Sequence, residues 1–168
     1  AIAVAERVKR LDFLDAHTMA LQNSINVPCR GVNHMDFSAN GRYLIAACEF
    51  DGTILKVDVA TRMLVRTLHL PAHSMAQDVR LSPDGRVFYI ADMMANGVHI
   101  LDGEAFSVIG FIATGKGAHG LYFSRDSKSL YVSNRGEGSV SVIDTKTRTV
   151  ATKWTIPGGG SPDMGGVS

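Results

Sequence analysis

The side chains that could do chemistry in this 168-residue chain are sparse. Its six histidines include no pair at the spacing of a metal-binding motif. His69 and His73 are four residues apart, but Pro71 between them argues against a helix that would place both rings on one face. His34 and His119 remain candidate metal or cofactor ligands, because neutral imidazole is a common ligand. The sequence leaves open whether a metal binds here.

Acidic side chains form a more regular set, since four aspartates recur about 43 residues apart. Each stands where an apolar run ends and a short turn begins. Carboxylates at such positions accept hydrogen bonds from turn amides, so we predict a structural role for all four. No Ser–His–Asp order or nucleophile elbow is present, and the sequence therefore predicts no catalytic residue. The four residues are Asp15, Asp58, Asp102 and Asp144.

The two cysteines, Cys29 and Cys48, are too few for a scaffold built from disulfides. The sequence allows two interpretations, which are one disulfide bridge or two small buried thiols. The pair is therefore a candidate disulfide.

Composition excludes several classes of function. With 17 Lys and Arg against 16 Asp and Glu, the chain lacks the basic excess of a nucleic-acid-binding protein. No apolar run approaches the roughly 20 residues of a membrane span. The apolar start Ala1–Ala5 is followed at once by Glu6 and Arg7, so it is no signal peptide. We expect neither a nucleic-acid partner nor a membrane span.

A repeat of about 43 residues organises the sequence, and its marker serines are Ser38, Ser82 and Ser124. Within a period, short runs rich in Val, Ile, Tyr and Phe alternate with turn signals such as Asn-Gly and Asp-Gly. Four short strands in each such period are typical of a β-propeller blade. The sequence therefore predicts an all-β propeller of four-stranded antiparallel blades. One period predicts strands over residues 33–37, 43–47, 53–57 and 63–70.

The repeat boundaries predict about four blades' worth of structure. Strands are named A to D from the central channel outward. Residues 1–30 supply strands B–D of a first blade, and residues 161–168 supply strand A of the next or closing blade. The complete blades cover residues 31–73, 74–116 and 117–160. Unpaired edges at both ends favour, in this order, additional blades, pairing of two chains, or closure of a four-bladed ring.

Functional residues are expected at one mouth of the channel, where the D–A loops, the B–C loops and the starts of strand A meet. There the repeat places side chains that differ between blades and are mostly polar or ionisable, while the framework repeats. Strand A starts at Asn33, Gln77, His119 and Asp163. The candidate ligand-binding set is Arg7, His34, Cys48, Glu49, Asp78, Asp92, His119, Asn134 and Arg135.

Two segments of the last complete blade, Leu130–Asn134 and Gly138–Asp144, resemble the signature of the YVTN family of β-propeller repeat proteins. The other blades carry related segments, so the resemblance covers essentially the whole chain. It implies a bacterial or archaeal, exported protein in the periplasm or outside the cell, where a disulfide is permitted. It also implies seven or eight blades, and four blades then indicate a piece of a larger propeller.

Two functions follow from the sequence. The first is a non-enzymatic binding or scaffold module that recognises a protein, a glycan or a small ligand at the channel mouth, with no cofactor. The alternative is a propeller enzyme or cofactor-binding module that handles a metal, a heme or a lactone. A bound metal or chromophore would favour the alternative.

Overall fold

The computed structural model describes residues 2–5, 9–163 and 165–167, and of Ala3, Val4 and Ala5 it describes only the backbone. The described residues form fifteen β-strands and no helix, and hence no helix that could cross a membrane. The strands are β1 (Ile2–Ala5), β2 (Arg10–Leu14), β3 (Leu21–Asn26), β4 (Val32–Phe37), β5 (Tyr43–Cys48), β6 (Thr53–Asp58), β7 (Met63–His69), β8 (Ala76–Leu81), β9 (Val87–Asp92), β10 (Gly97–Asp102), β11 (Ser107–Ala113), β12 (Ala118–Phe123), β13 (Ser129–Asn134), β14 (Ser139–Asp144) and β15 (Thr149–Thr155).

Each predicted blade is an antiparallel meander of consecutive strands. Strands β4 to β7, β8 to β11 and β12 to β15 form three four-stranded sheets, and β1 to β3 form a three-stranded sheet. We call these sheets blades 1 to 4 in chain order. The predicted all-β fold with four-stranded antiparallel blades is confirmed.

The predicted strand A of residues 161–168 differs from the structure. Its described residues, 161–163 and 165–167, belong to no strand, and Met164 and Ser168 lie outside the described part of the chain. A strand A needs the neighbouring strand B to complete its hydrogen-bond ladder, and no strand of the described chain pairs with these residues.

Local turn chemistry closes the hairpins. Asp144 Oδ1 accepts hydrogen bonds from the Lys146 and Thr147 amides at 2.9 and 2.7 Å, and the other three repeated aspartates accept turn amides in the same way. The predicted structural role of this acidic set is confirmed. The marker serines have an equivalent role, since the Ser82 hydroxyl donates to Asp84 Oδ1 at 2.6 Å and accepts from the Val87 amide.

Three apolar cores lie between consecutive blades. Alternate residues of β5 point to opposite sides of blade 2, so that Leu44 packs in the core shared with blade 1 and Ile45 in the core shared with blade 3. In the same way Phe88 packs toward blade 2 and Tyr89 toward blade 4. Blades 2 and 3 are therefore apolar on both faces, and each face depends on a neighbouring blade for burial.

Replacing Phe88 by Ala tests this dependence, because its ring is fully buried between blades 2 and 3. We expect the free energy of unfolding in urea to fall by about 3–5 kcal/mol. The control is Val65→Ala on the outer strand β7, where the side chain is 54% exposed and a change within about 0.5 kcal/mol is expected. Equal effects of the two substitutions would contradict the inter-blade cores.

Candidate functional site

The inner strands reach the channel mouth through an irregularity in each ladder. Val32 pairs with Cys48, but the next pair is Met35 with Ala46, so Asn33 and His34 fall outside the regular register. Strands β8 and β12 have the same irregularity at Gln77 and at residues 119–120. Such bulges redirect side chains, and they occur here at the positions that carry the candidate residues.

The mouth cluster consists of His34, Gln77, Asp78, His119, Arg135 and Asp163, contributed by three blades and the segment after β15. His119 Nδ1 lies 2.9 Å from Asp163 Oδ1, and an Arg135 guanidinium nitrogen lies 3.7 Å from Asp163 Oδ2. The negative charge of Asp78 acts on His119 as well and favours its protonated form. The structure thus brings together four of the predicted residues, His34, Asp78, His119 and Arg135.

Asp78 is the buried acid of this cluster. Burial raises the pKa of its carboxyl group, and the positive charge of Arg80 opposes that rise. Its two oxygens accept the Val79 amide at 2.8 Å and the Leu121 amide at 2.9 Å. The second bond joins the inner strands of blades 3 and 4, so Asp78 holds the mouth together as well as lining it.

Polar atoms without a hydrogen-bond partner also lie in this cluster. His34 Nδ1 and Gln77 Nε2 are buried and make no hydrogen bond within the described chain. His119 Nδ1 is close to Asp163, but the two groups are not aligned for a hydrogen bond. Burial lowers the pKa of the His119 imidazole, although the negative charge of Asp163 opposes this. Because an unsatisfied buried polar atom is costly, these groups are suited to pairing with a bound polar group.

Three of the other predicted residues end strand B in blades 2 to 4, and the structure gives them internal partners. Cys48 forms a disulfide with Cys29. The side chain of Asn134 is fully buried, accepts from Thr114 Oγ1 at 3.2 Å and donates to Ser139 and Ser141. The Cys29–Cys48 disulfide and the Thr114–Asn134 hydrogen bond each tie the end of a strand B to the preceding D–A connection.

Asp92 is the third residue of this set. Its Oδ1 accepts the Met75, Met94 and Ala95 amides, and its Oδ2 lies 3.1 Å from His99 Nε2. Burial alone would raise the pKa of Asp92, but the hydrogen bonds from His99 and the backbone amides outweigh it and lower the pKa to about 2. This carboxylate therefore binds the flanking loops through three amides and strand β10 through His99.

The last two predicted residues are Glu49 and Arg7. Glu49 is half-buried beside Cys48, and its carboxylate has no hydrogen-bond or ion-pair partner in the described part of the chain. Arg7 lies outside the described residues. Two residues of the cluster, Gln77 and Asp163, were missing from the predicted set, although their repeat position at the start of strand A indicates them.

Beside the cluster, an open cavity of about 510 Å³ lies between the loops of blades 3 and 4, and Met93, Met94, Lys116 and Arg135 are among its lining residues. Arg135 joins this cavity to the mouth cluster. Across the described residues, no three His, Cys, Asp or Glu side chains are arranged to hold a metal ion. The mouth cluster and the adjoining cavity together form a surface with hydrogen-bond donors and acceptors at its centre and apolar side chains at its border.

Comparison with solved structures shows that the fold is that of a β-propeller. Hydrazine synthase from Kuenenia stuttgartiensis superposes with a TM-score of 0.83 at 19% identity, over 92% of this chain and 45% of that one. The β-propeller domain of Cps50 (Swd1) from Myceliophteria thermophila superposes with a TM-score of 0.75 at 14% identity, over 98% of this chain and 57% of that one. The chain thus spans about half the length of these structures. Neither protein-family models nor curated proteins gave a match.

Asp92→Asn tests the structural role of that carboxylate. Since its pKa of about 2 lies below the ordinary 3.8, the ionised form stabilises the fold above about pH 4, and this stabilisation disappears as the pH falls toward 2. We expect the substitution to lower the free energy of unfolding by about 2 kcal/mol at pH 7. The difference from the unsubstituted protein should shrink below pH 4.

Urea unfolding at pH 7, 4 and 2.5 measures this difference, and Glu49→Gln serves as the control because that carboxylate accepts no hydrogen bond within the described chain. A difference for Asp92→Asn that is constant across the pH range would contradict the assignment.

Proposed function

We propose that this chain is a β-propeller binding module that recognises a protein, a glycan or a small ligand through its mouth cluster. The observation that carries the proposal is the pair of buried, unpaired atoms His34 Nδ1 and Gln77 Nε2. Gln77 Nε2 is a donor, and the imidazole is a donor or an acceptor according to its tautomer. A polar group of a ligand that enters the mouth would satisfy both.

The frame around the cluster supports recognition without large rearrangement. The Cys29–Cys48 disulfide and the hydrogen bonds of Asp92 and Asn134 fix the loops on three blades. A preorganised site loses little conformational entropy on binding, so few contacts are needed for useful affinity. Rigid loops around a polar mouth are therefore suited to binding.

The neighbouring cavity extends the proposed surface. Exposed Met94 and the basic side chains of Lys116 and Arg135 adjoin the cluster. Methionine adapts its shape to different partners, and arginine pairs with carboxylates through two parallel hydrogen bonds. We propose that the part of the ligand that lies over this cavity is apolar with an acidic group.

A second candidate function is a cofactor-dependent propeller enzyme, favoured by one observation. His34 and His119 come from two different blades, and the Nδ1 atom of each is buried without a hydrogen bond in the described part of the chain. Two imidazoles are half of a common ligand set, and one structural neighbour is named as a hydrazine synthase. Elemental analysis and a visible absorption spectrum of the purified protein decide this: a stoichiometric metal or a chromophore would replace the first proposal.

The proposed cellular setting is the periplasm or the outside of the cell. The disulfide supports it, because such bonds persist in oxidising compartments. The similarity of Leu130–Asn134 to the YVTN signature supports it as well. We include membership of that family in the proposal.

The double variant Gln77→Ala/Arg135→Ala tests the binding site. Among the described residues Gln77 Nε2 has no hydrogen-bond partner, and Arg135 is 40% exposed and lies 3.7 Å from Asp163, so the fold should be retained. A matched control is Lys128→Ala/Lys146→Ala, on the turns at the opposite face. The immobilised proteins are incubated with extract of the source organism, and bound partners are quantified by mass spectrometry.

We expect a partner that binds the unsubstituted protein and the control equally and binds the mouth variant at least about tenfold less, a difference of about 1.4 kcal/mol. A partner that is retained by the mouth variant, or lost only with the control, would place recognition elsewhere. Circular dichroism of both variants verifies that the fold is intact.

A further inference from the structure

The C–D turns of blades 2 to 4 each place one side chain at the junction with the preceding blade. This residue follows the turn aspartate by four positions and has a left-handed backbone, with φ of 56° at Arg62, 53° at Phe106 and 57° at Arg148. Arg62 lies over the Phe13 ring of blade 1, and Phe106 packs in the core shared with blade 2. Arg148 lies beside Tyr89 of blade 3. We call the side of the molecule that carries the A–B and C–D turns the turn face.

Two of these junctions are complete within the chain. The Arg62 guanidinium donates to Gln22 Oε1 at 2.8 Å and lies 5.9 Å from the centroid of the Phe13 ring. Phe106 is 2% exposed, and the Arg66 guanidinium covers its ring at 5.2 Å. The charge of Arg62 and the apolar surface of Phe106 therefore need no partner from outside.

Arg148, at the junction between blades 3 and 4, is different. Its side chain is half-buried, and none of the ion pairs among the described residues includes it. Its neighbour is the Tyr89 hydroxyl, since burial raises the pKa of this phenol and the positive charge of Arg148 opposes the rise. A guanidinium has five N–H donors. One neutral oxygen leaves most of them for another partner.

A cavity of about 280 Å³ lies beside this guanidinium. Asp84 and Ser127, from the A–B turns of blades 3 and 4, line it together with Arg148. Lys146 is also a lining residue, but its side chain is exposed, so that solvent and salt screen its charge. The half-buried cation of the cavity is thus Arg148.

The acid of this cavity, Asp84, is ionised but is not paired with Arg148. The hydrogen bond from the Ser82 hydroxyl, 2.6 Å long, holds the pKa of Asp84 below its ordinary value, and the Arg86 amide and the charge of Arg148 add to this effect. Both hydrogen bonds go to Oδ1, so Oδ2 is left for a ligand. Two opposite charges therefore line one cavity and act on each other without meeting in an ion pair.

We propose that this cavity binds a small hydroxy-carboxylate, which is an organic acid with one carboxylate and a hydroxyl group next to it. The carboxylate accepts two parallel N–H bonds from Arg148, and the hydroxyl donates to Asp84 Oδ2. A doubly charged phosphate fits less well, because Asp84 repels its second charge. A neutral sugar would leave the Arg148 guanidinium without an anion. The site lies on the turn face and is independent of the function proposed for the mouth cluster.

NMR titration of the isotope-labelled protein with gluconate tests this site. Gluconate has one carboxylate and a hydroxyl on the adjacent carbon. Sorbitol has the same carbon chain without the carboxylate, and acetate has the carboxylate without the hydroxyl. We expect gluconate to shift the amide signals of residues 84–86 and 145–148 with a Kd of about 1 mM. Sorbitol and acetate should bind at least about tenfold more weakly, because each lacks one of the two contacts.

Arg148→Gln should weaken gluconate binding at least about tenfold, and Arg148→Lys should have a smaller effect because it keeps the charge without the two parallel bonds. The matched control is Arg62→Gln at the equivalent turn of blade 2, where the guanidinium already bonds Gln22. There we expect a gluconate affinity within about twofold of the unsubstituted protein. Circular dichroism verifies that each variant is folded. Equal losses in the Arg148 and Arg62 variants would contradict the assigned site.

Asp84→Asn separates the two halves of the recognition. The turn accommodates the amide, since Asn40 Oδ1 accepts the Ser38 hydroxyl at 2.9 Å and the Arg42 amide at 3.0 Å in the equivalent turn of blade 2. We expect this variant to bind acetate more tightly than the unsubstituted protein does, because the repulsion by the Asp84 charge is gone, and to lose the preference for gluconate.

Three results would overturn the proposal. One is the absence of shifts on the turn face at about 20 mM gluconate, well above the expected Kd. Another is equal binding of gluconate and sorbitol, or unchanged gluconate binding by Arg148→Gln. The third is inorganic phosphate that binds as tightly as gluconate, which would show a general anion site instead of one for hydroxy-carboxylates.

Discussion

The structure depends on one constraint, which is that a blade cannot bury its own two faces. Strand residues alternate between the faces, and in blade 2 Leu44 and Ile45 are both fully buried although they point in opposite directions. Burial of this kind stabilises by roughly 25 cal/mol per Å² of apolar surface, but only when a second sheet lies on each side. The order of the blades, the three cores and the exposed Trp154 at the end of the row all follow from this requirement.

The repeat predicts the blades well because its signals are local. A serine hydroxyl that bonds a residue two positions ahead, as Ser82 does with Asp84, closes a turn without help from the rest of the molecule. Residues 162–163 and 165–167 are the opposite case. Their repeat position is that of strand A, but a strand forms only where a neighbour pairs with its backbone, and no strand of the described chain does so. Such pairing between distant segments is not encoded in these residues themselves.

The mouth could be predicted as a region but not residue by residue. Asp78 and Asp92 are both buried aspartates at polar positions that vary between blades. Only Asp78 belongs to the mouth cluster. The carboxylate of Asp92 instead accepts hydrogen bonds from three loop amides and pairs with His99. Which amides approach a carboxylate is decided by loop conformation, and the repeat carries no signal for it. Conversely, Gln77 was not in the predicted set, because the sequence does not show that its Nε2 donor is buried without a hydrogen bond in the described chain.

Asp163 links the mouth cluster to the backbone of the segment that follows β15. Its carboxylate contacts His119 and Arg135, and its carbonyl accepts a hydrogen bond from the Ser133 hydroxyl. Its side chain is 48% exposed, in contrast to Asp78, which a complete inner strand fully buries. The charge of Asp163 therefore opposes the lowered pKa of His119 from a half-exposed position, whereas burial raises the pKa of Asp78 itself. The two acids of the mouth cluster thus differ because an inner strand of the following blade covers only one of them.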